Sequence, residues 1–107
     1  MITSLNKNGF IVGKIESDRL NSSIAPQIKE ELTEIFKAKG AKVILNLASI
    51  KFIDSTGIGT LISALKAARQ NEGIFVLSDV QPDVLSLITL MKLDKIFDIY
   101  PTEELVK

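Results

Sequence analysis

Apolar and polar positions change their spacing several times along this chain, and each change marks an element. Ile2 to Leu5 and Phe10 to Ile15 are short apolar stretches on either side of Asn6-Lys7-Asn8-Gly9. Asn-Gly supplies the positive φ of a tight hairpin turn, so the pattern predicts two antiparallel strands. The polar link Glu16 to Ser23 then delivers Asn21-Ser22-Ser23, any of which could cap the next helix. From there Ile24, Ile28, Leu32, Ile35 and Phe36 recur at three- and four-residue spacing, which predicts a helix of about four turns. Pro26 is tolerated because it lies in the first turn, and Gly40 stops the helix.

Val43-Ile44-Leu45-Asn46-Leu47 is short and rich in β-branched residues, as suits a central strand covered on both faces. A second helical stripe runs through Ile58, Leu61, Ile62, Leu65 and Ala68 and ends at Asn71-Glu72-Gly73. Ile74 to Leu77 reads as a strand. Pro82 opens a third helix, with Val84, Leu87, Ile88 and Met91 on one face. Ile96 to Tyr100 reads as a last strand, and Pro101-Thr102-Glu103-Glu104 opens a short terminal helix. The order is ββαβαβαβα. Strand-helix-strand units imply parallel pairing with right-handed crossovers, while the opening hairpin adds an antiparallel edge. The expected fold is α/β, one domain over residues 1–107, with a mixed sheet of about five strands and about four helices.

Composition narrows what such a domain can do. Among 107 residues there is no Cys, His or Trp, so a disulfide framework, a Cys/His zinc site, a thiol nucleophile and an imidazole base are all absent. A Ser-His-Asp hydrolase loses its base for the same reason. No base-nucleophile pair and no cofactor motif is left, so the chain is not expected to be an enzyme. Thirteen basic and thirteen acidic residues cancel, which leaves no basic field for nucleic acid. The N-terminus lacks the basic start and apolar run of a signal peptide, and no stretch approaches the ~18 apolar residues of a membrane span. A cytoplasmic protein with no direct membrane insertion is expected.

One segment is not explained by folding alone. Asp54-Ser55-Thr56-Gly57-Ile58-Gly59 lies between the central strand and the second helix. Asp, Ser and Thr there could simply cap the helix. Capping does not account for two glycines in its first turn, each costing up to ~1 kcal/mol relative to alanine in a helix interior. Phosphate-loop readings fail: Gly57-x-Gly59 lacks the third glycine of the dinucleotide fingerprint, Ile62 standing in its place, and no Gly-x-x-x-x-Gly-Lys-Ser/Thr string occurs.

Taken with Val43 to Leu47 before it, Ile53-Asp54-Ser55-Thr56-Gly57-Ile58-Gly59 resembles the signature of the STAS domain family, in particular the bacterial anti-sigma factor antagonists. Arg19-Leu20-Asn21 ahead of Ala25-Pro26 resembles the family's Arg-Leu-Asp turn. Pro82 to Leu93, Ile96 to Tyr100 and Thr102-Glu103-Glu104 resemble its C-terminal helix-strand-helix. The resemblance implies a STAS-like single domain whose Ser55 is phosphorylated by a partner that is both anti-sigma factor and serine kinase. The unphosphorylated form would bind that partner, and a serine phosphatase would reset the cycle. Asn21, Asp54, Thr56, Gly57, Ile58 and Gly59 would form the partner-binding surface. Within it, Asp54 orients the loop or meets the partner, or caps the helix; Thr56 is a second hydroxyl contact or a further cap. Gly57 and Gly59 would admit the kinase, and Ile58 fits the core better than a contact. Asn21 stands where the family usually has Asp, and Asn46 where many relatives carry it, so the field around Ser55 is expected to be less negative than usual. The other reading is a STAS module acting as a non-switching adaptor in a signalling scaffold or lipid-transport assembly.

Overall fold

The structure, a computed structural model, describes residues 1–106; Lys107, the last residue of the expected domain, lies outside them. Its main sheet contains β1 (Ile2–Lys7), β2 (Phe10–Ile15), β4 (Lys42–Asn46), β6 (Ile74–Ser78) and β7 (Asp98–Tyr100), in the order β1-β2-β4-β6-β7. β1 is antiparallel to β2 and every other pair is parallel. Asn8 and Gly9 form the hairpin turn with φ of 54° and 85°, the two positive values a type I′ turn needs. The expected mixed five-stranded sheet is therefore present.

Three α-helices cross between strands: α1 (Ala25–Phe36), α2 (Ser55–Gln70) and α3 (Pro82–Leu90). All three pack on one face of the sheet, where Ile28, Leu32, Phe36, Leu61, Leu65, Val84 and Ile88 meet Val43, Leu45, Phe75 and Leu77. The opposite face has a smaller core of Phe10, Val12, Ile44 and Val76, closed over by Val106. Among the described residues no helix is long and apolar enough to cross a membrane.

Four details differ from the expectations. The terminal helix is a 3-10 turn, Glu103–Leu105, so the α-helices among the described residues number three rather than four. The last strand begins at Asp98, because Leu93–Lys95 form another 3-10 turn and Phe97 goes into the core. None of Asn21, Ser22 and Ser23 caps α1. Its N-cap is Ile24, with no side-chain bond, and Asn21 instead closes a turn of its own. Finally, two strands of two residues each, β3 (Arg19–Leu20) and β5 (Phe52–Ile53), pair in parallel as a separate small sheet.

Candidate functional site

That small sheet builds the site. β3 pairs with β5 in the register Arg19↔Phe52 and Leu20↔Ile53, so the next residues, Asn21 and Asp54, leave the two strands side by side. The pairing is anchored below by Lys51 N donating to the Asp18 carbonyl at 2.7 Å and above by Asp54 N donating to the Leu20 carbonyl at 3.3 Å. Asn21 then turns its chain into α1: its side-chain oxygen accepts from Ser23 N at 3.0 Å, and its carbonyl accepts from Ile24 N and Ala25 N. Asn lacks a charge but keeps the acceptor that this turn uses.

Asp54 is the N-cap of α2, in extended conformation, and both carboxylate oxygens are committed. Oδ1 accepts from Gly57 N at 2.9 Å and Oδ2 accepts from Ser22 N at 3.2 Å. One side chain therefore caps a helix and ties it to the neighbouring loop, two of the roles open to it in the sequence. Ser55 is the first residue of α2 and is exposed, as is Thr56. The free amides of the first helical turn and the helix dipole both favour negative charge there.

The glycines divide. Gly57 is buried, and a Cβ on it would collide with the Leu20 carbonyl oxygen and come within 2.8 Å of Ile53 Cγ1. Its close neighbour is the protein's own strand, not an incoming partner. Gly59 is exposed with nothing within 4 Å of its missing Cβ, so the open approach belongs to it alone. Ile58 is 3% exposed and packs with the core, so it is no contact residue. Of the expected set the surface holds Ser55, Thr56, Gly59 and half-buried Asn21 and Asp54. Thr56 and Gly59 also line an open groove of about 420 Å³ between α1 and α2, shared with Pro26, Lys29 and Ser63.

Asn46 makes its side-chain bonds outside this loop. It is 4% exposed, and its amide donates to Asp79 Oδ2 at 3.0 Å and Glu103 Oε2 at 2.8 Å while its oxygen accepts from Ala48 N. An aspartate there would face two carboxylates with no proton to offer. Sequence reading also missed Phe52, which is 60% exposed with the Arg19 guanidinium 5.2 Å from its ring centre. This cation-π pair stands beside Asp54. The signal was an aromatic residue in a run too short to form a buried strand. Among the described residues no group of His, Cys, Asp and Glu is arranged to hold a metal ion.

Comparison with known proteins matches residues 6–106 to the STAS domain family. The anti-sigma-B factor antagonist of Listeria monocytogenes is 30% identical over 95 residues, covering 88% of this chain and 78% of its own length. The anti-sigma F factor antagonist of Paenibacillus polymyxa is 27% identical over 88 residues, covering 81% and 75%. An anti-sigma factor antagonist domain protein from Planctomyces limnophilus has the same fold, with a TM-score of 0.86 at 21% identity over 96% of this chain and 92% of its own.

Proposed function

The chain belongs to the STAS domain family, and on that footing we propose that it acts as an anti-sigma factor antagonist switched by phosphorylation of Ser55. Unphosphorylated, it binds an anti-sigma factor that is also a serine kinase, and so frees the sigma factor. That kinase transfers phosphate to the Ser55 hydroxyl, binding is lost, and a serine phosphatase restores it. No cofactor of its own is required. The observation that carries the reading is the placement of Ser55: exposed, at the first position of α2, directly after a carboxylate already committed to holding the loop.

The physics of the switch follows from that placement. Phosphorylation adds about −1.5 to −2 charges at pH 7. The N-terminus of α2 favours the new anion, while the Asp54 carboxylate opposes it. Neither effect breaks the bonds from Ser22 and Gly57 to Asp54, so the domain stays folded and its surface becomes charged and bulky. The switch then works by spoiling a contact formed by Asn21, Thr56, Gly59 and the Arg19–Phe52 pair. Asp54 acts here as the loop's anchor.

The test is capture from the source cell by wild type, Ser55→Ala and Ser55→Asp, with partners identified by mass spectrometry. Wild type and Ser55→Ala should retain an ATP-binding anti-sigma factor and Ser55→Asp should lose it. That partner should label wild type with phosphate, and Ser55→Ala not at all. Equal capture by all three proteins would support the adaptor instead.

A further inference from the structure

The sheet ends in two edges, and they are not alike. β7 has only three residues and runs straight into Pro101, which offers no N–H for a further strand. β1 has six residues, no proline, no bulge and a single charge, Lys7, at its end. Natural edge strands usually carry some device that blocks pairing with another chain. β1 carries Lys7 at one end and, at the other, partial cover from α1.

The extent of that cover can be worked out from the ladder. The Glu16 amide donates to the Met1 carbonyl at 2.9 Å, so residues 1 and 16 form a hydrogen-bonded pair. In an antiparallel ladder such pairs alternate along the strand, so Thr3, Leu5 and Lys7 also turn their backbone groups toward β2. Ile2, Ser4 and Asn6 turn theirs outward. The Ile2 amide is covered, donating to Glu31 Oε1 of α1 at 3.3 Å. The exposed residues Ser4 and Asn6 keep outward N–H and C=O groups, separated by Leu5, which is 58% exposed on the helix-free face.

We propose that β1 is a self-association edge, on which a second copy of this chain pairs antiparallel, with Ser4 opposite Asn6 of the second copy and Leu5 opposite its own counterpart on the two-fold axis. In this register each Ser4–Asn6 pair exchanges both backbone bonds, which uses the free outward groups and leaves the Ile2–Glu31 contact intact. Centring the axis on Ser4 instead would demand the Ile2 amide that Glu31 holds. The charges agree with the register: Lys7 falls opposite the uncharged Thr3, and no like charges meet. Leu5 forms the non-hydrogen-bonded pair, where Cα atoms lie about 4.5 Å apart and side chains pack closely. The two sheets then continue as one, with helices on the same face throughout, and no residue of the Ser55 site takes part.

The chain has no cysteine, so single introduced thiols read the register directly. Leu5→Cys should oxidise to a covalent dimer under mild oxidant, because a Cα separation of about 4.5 Å suits a disulfide. Ser4→Cys, also exposed but facing Asn6, should cross-link roughly tenfold more slowly, since only adjacent thiols gain the effective concentration of a docked pair. Sedimentation of the untagged wild type across the micromolar to millimolar range should show mass rising toward twice the monomer. Leu5→Lys, which sets two like charges on the axis of a solvent-facing position, should stay folded by circular dichroism and remain monomeric. Equal cross-linking of the two cysteine variants, faster cross-linking of Ser4→Cys, a wild type that stays monomeric throughout, or a Leu5→Lys protein that still dimerises would each overturn the proposal.

Discussion

Gly57 and Gly59 lie two residues apart in the first turns of one helix, yet they have opposite reasons to be glycine. At Gly57 a methyl group would strike the Leu20 carbonyl oxygen, which is backbone and bonded to Asp54, so the small sheet itself would have to move. Gly57→Ala should therefore destabilise by about 1–3 kcal/mol or more, as overpacking against a fixed neighbour does. At Gly59 nothing stands within 4 Å, and alanine recovers helix propensity worth up to ~1 kcal/mol. Gly59→Ala should be neutral or stabilising. Urea unfolding of the two variants checks this, and equal effects would mean that Gly57 is not wedged against β3. Asp54→Ala should cost about 1 kcal/mol through the lost cap, with a further share for the Ser22 amide, while Asp54→Asn, which keeps an acceptor, should cost less.

At the scale of elements, what the sequence made legible was what repeats. The stripes through α1, α2 and α3, the Asn8-Gly9 hairpin and the β-branched runs of β4 and β6 all follow from spacing, because burial on one face enforces a period. Elements of two or three residues have no period to enforce. β3 and β5 are stabilised by backbone bonds to each other, to Asp18 and to Asp54, and nothing in Arg19-Leu20 or Phe52-Ile53 taken alone marks a strand. At Ser55 and Asp54 spacing alone marked only a capped helix start, since polar residues there ordinarily cap; the phosphorylated serine came from the resemblance of the whole Asp54–Gly59 string to the family signature. The role of Asn46 was not legible, since its partners lie 33 and 57 residues away in the chain. It holds the C-terminal 3-10 turn by bonding both Glu103 and Asp79, whose carboxylate also accepts from Glu103 N. Asn46→Asp should cost about 2–3 kcal/mol at neutral pH by removing a buried donor to charged acceptors and adding a third carboxylate. Urea unfolding beside Asn46→Leu, which removes the donor without adding charge, checks this: Asn46→Asp should cost more, and equal costs would leave only the lost hydrogen bonds as the cause.

For the whole molecule, the sheet separates a thick helical side from a face whose small core is closed by Val106, with Tyr100 packed against it. Val106 is 8% exposed and closes the small core over Phe10, Val12, Ile44 and Val76. Val106→Asp forfeits the burial of that side chain and places a carboxylate on an apolar surface, so it should cost about 2–3 kcal/mol. Ser55→Asp is a different kind of change. Thirteen acidic and thirteen basic residues balance, so the added charge alters the molecule's net charge outright, yet it enters at an exposed helix start where the dipole favours it. Surface substitutions away from structural contacts usually stay within about 0.5 kcal/mol. The Ser55→Asp protein should therefore unfold with wild-type stability and sediment as wild type does, because the Ser55 loop and the β1 edge share no residue. Its loss should be confined to partner capture. If Ser55→Asp lowered stability as much as Val106→Asp, the switch would act by unfolding the domain, and a contact-spoiling mechanism would be wrong even with Ser55 as the modified residue.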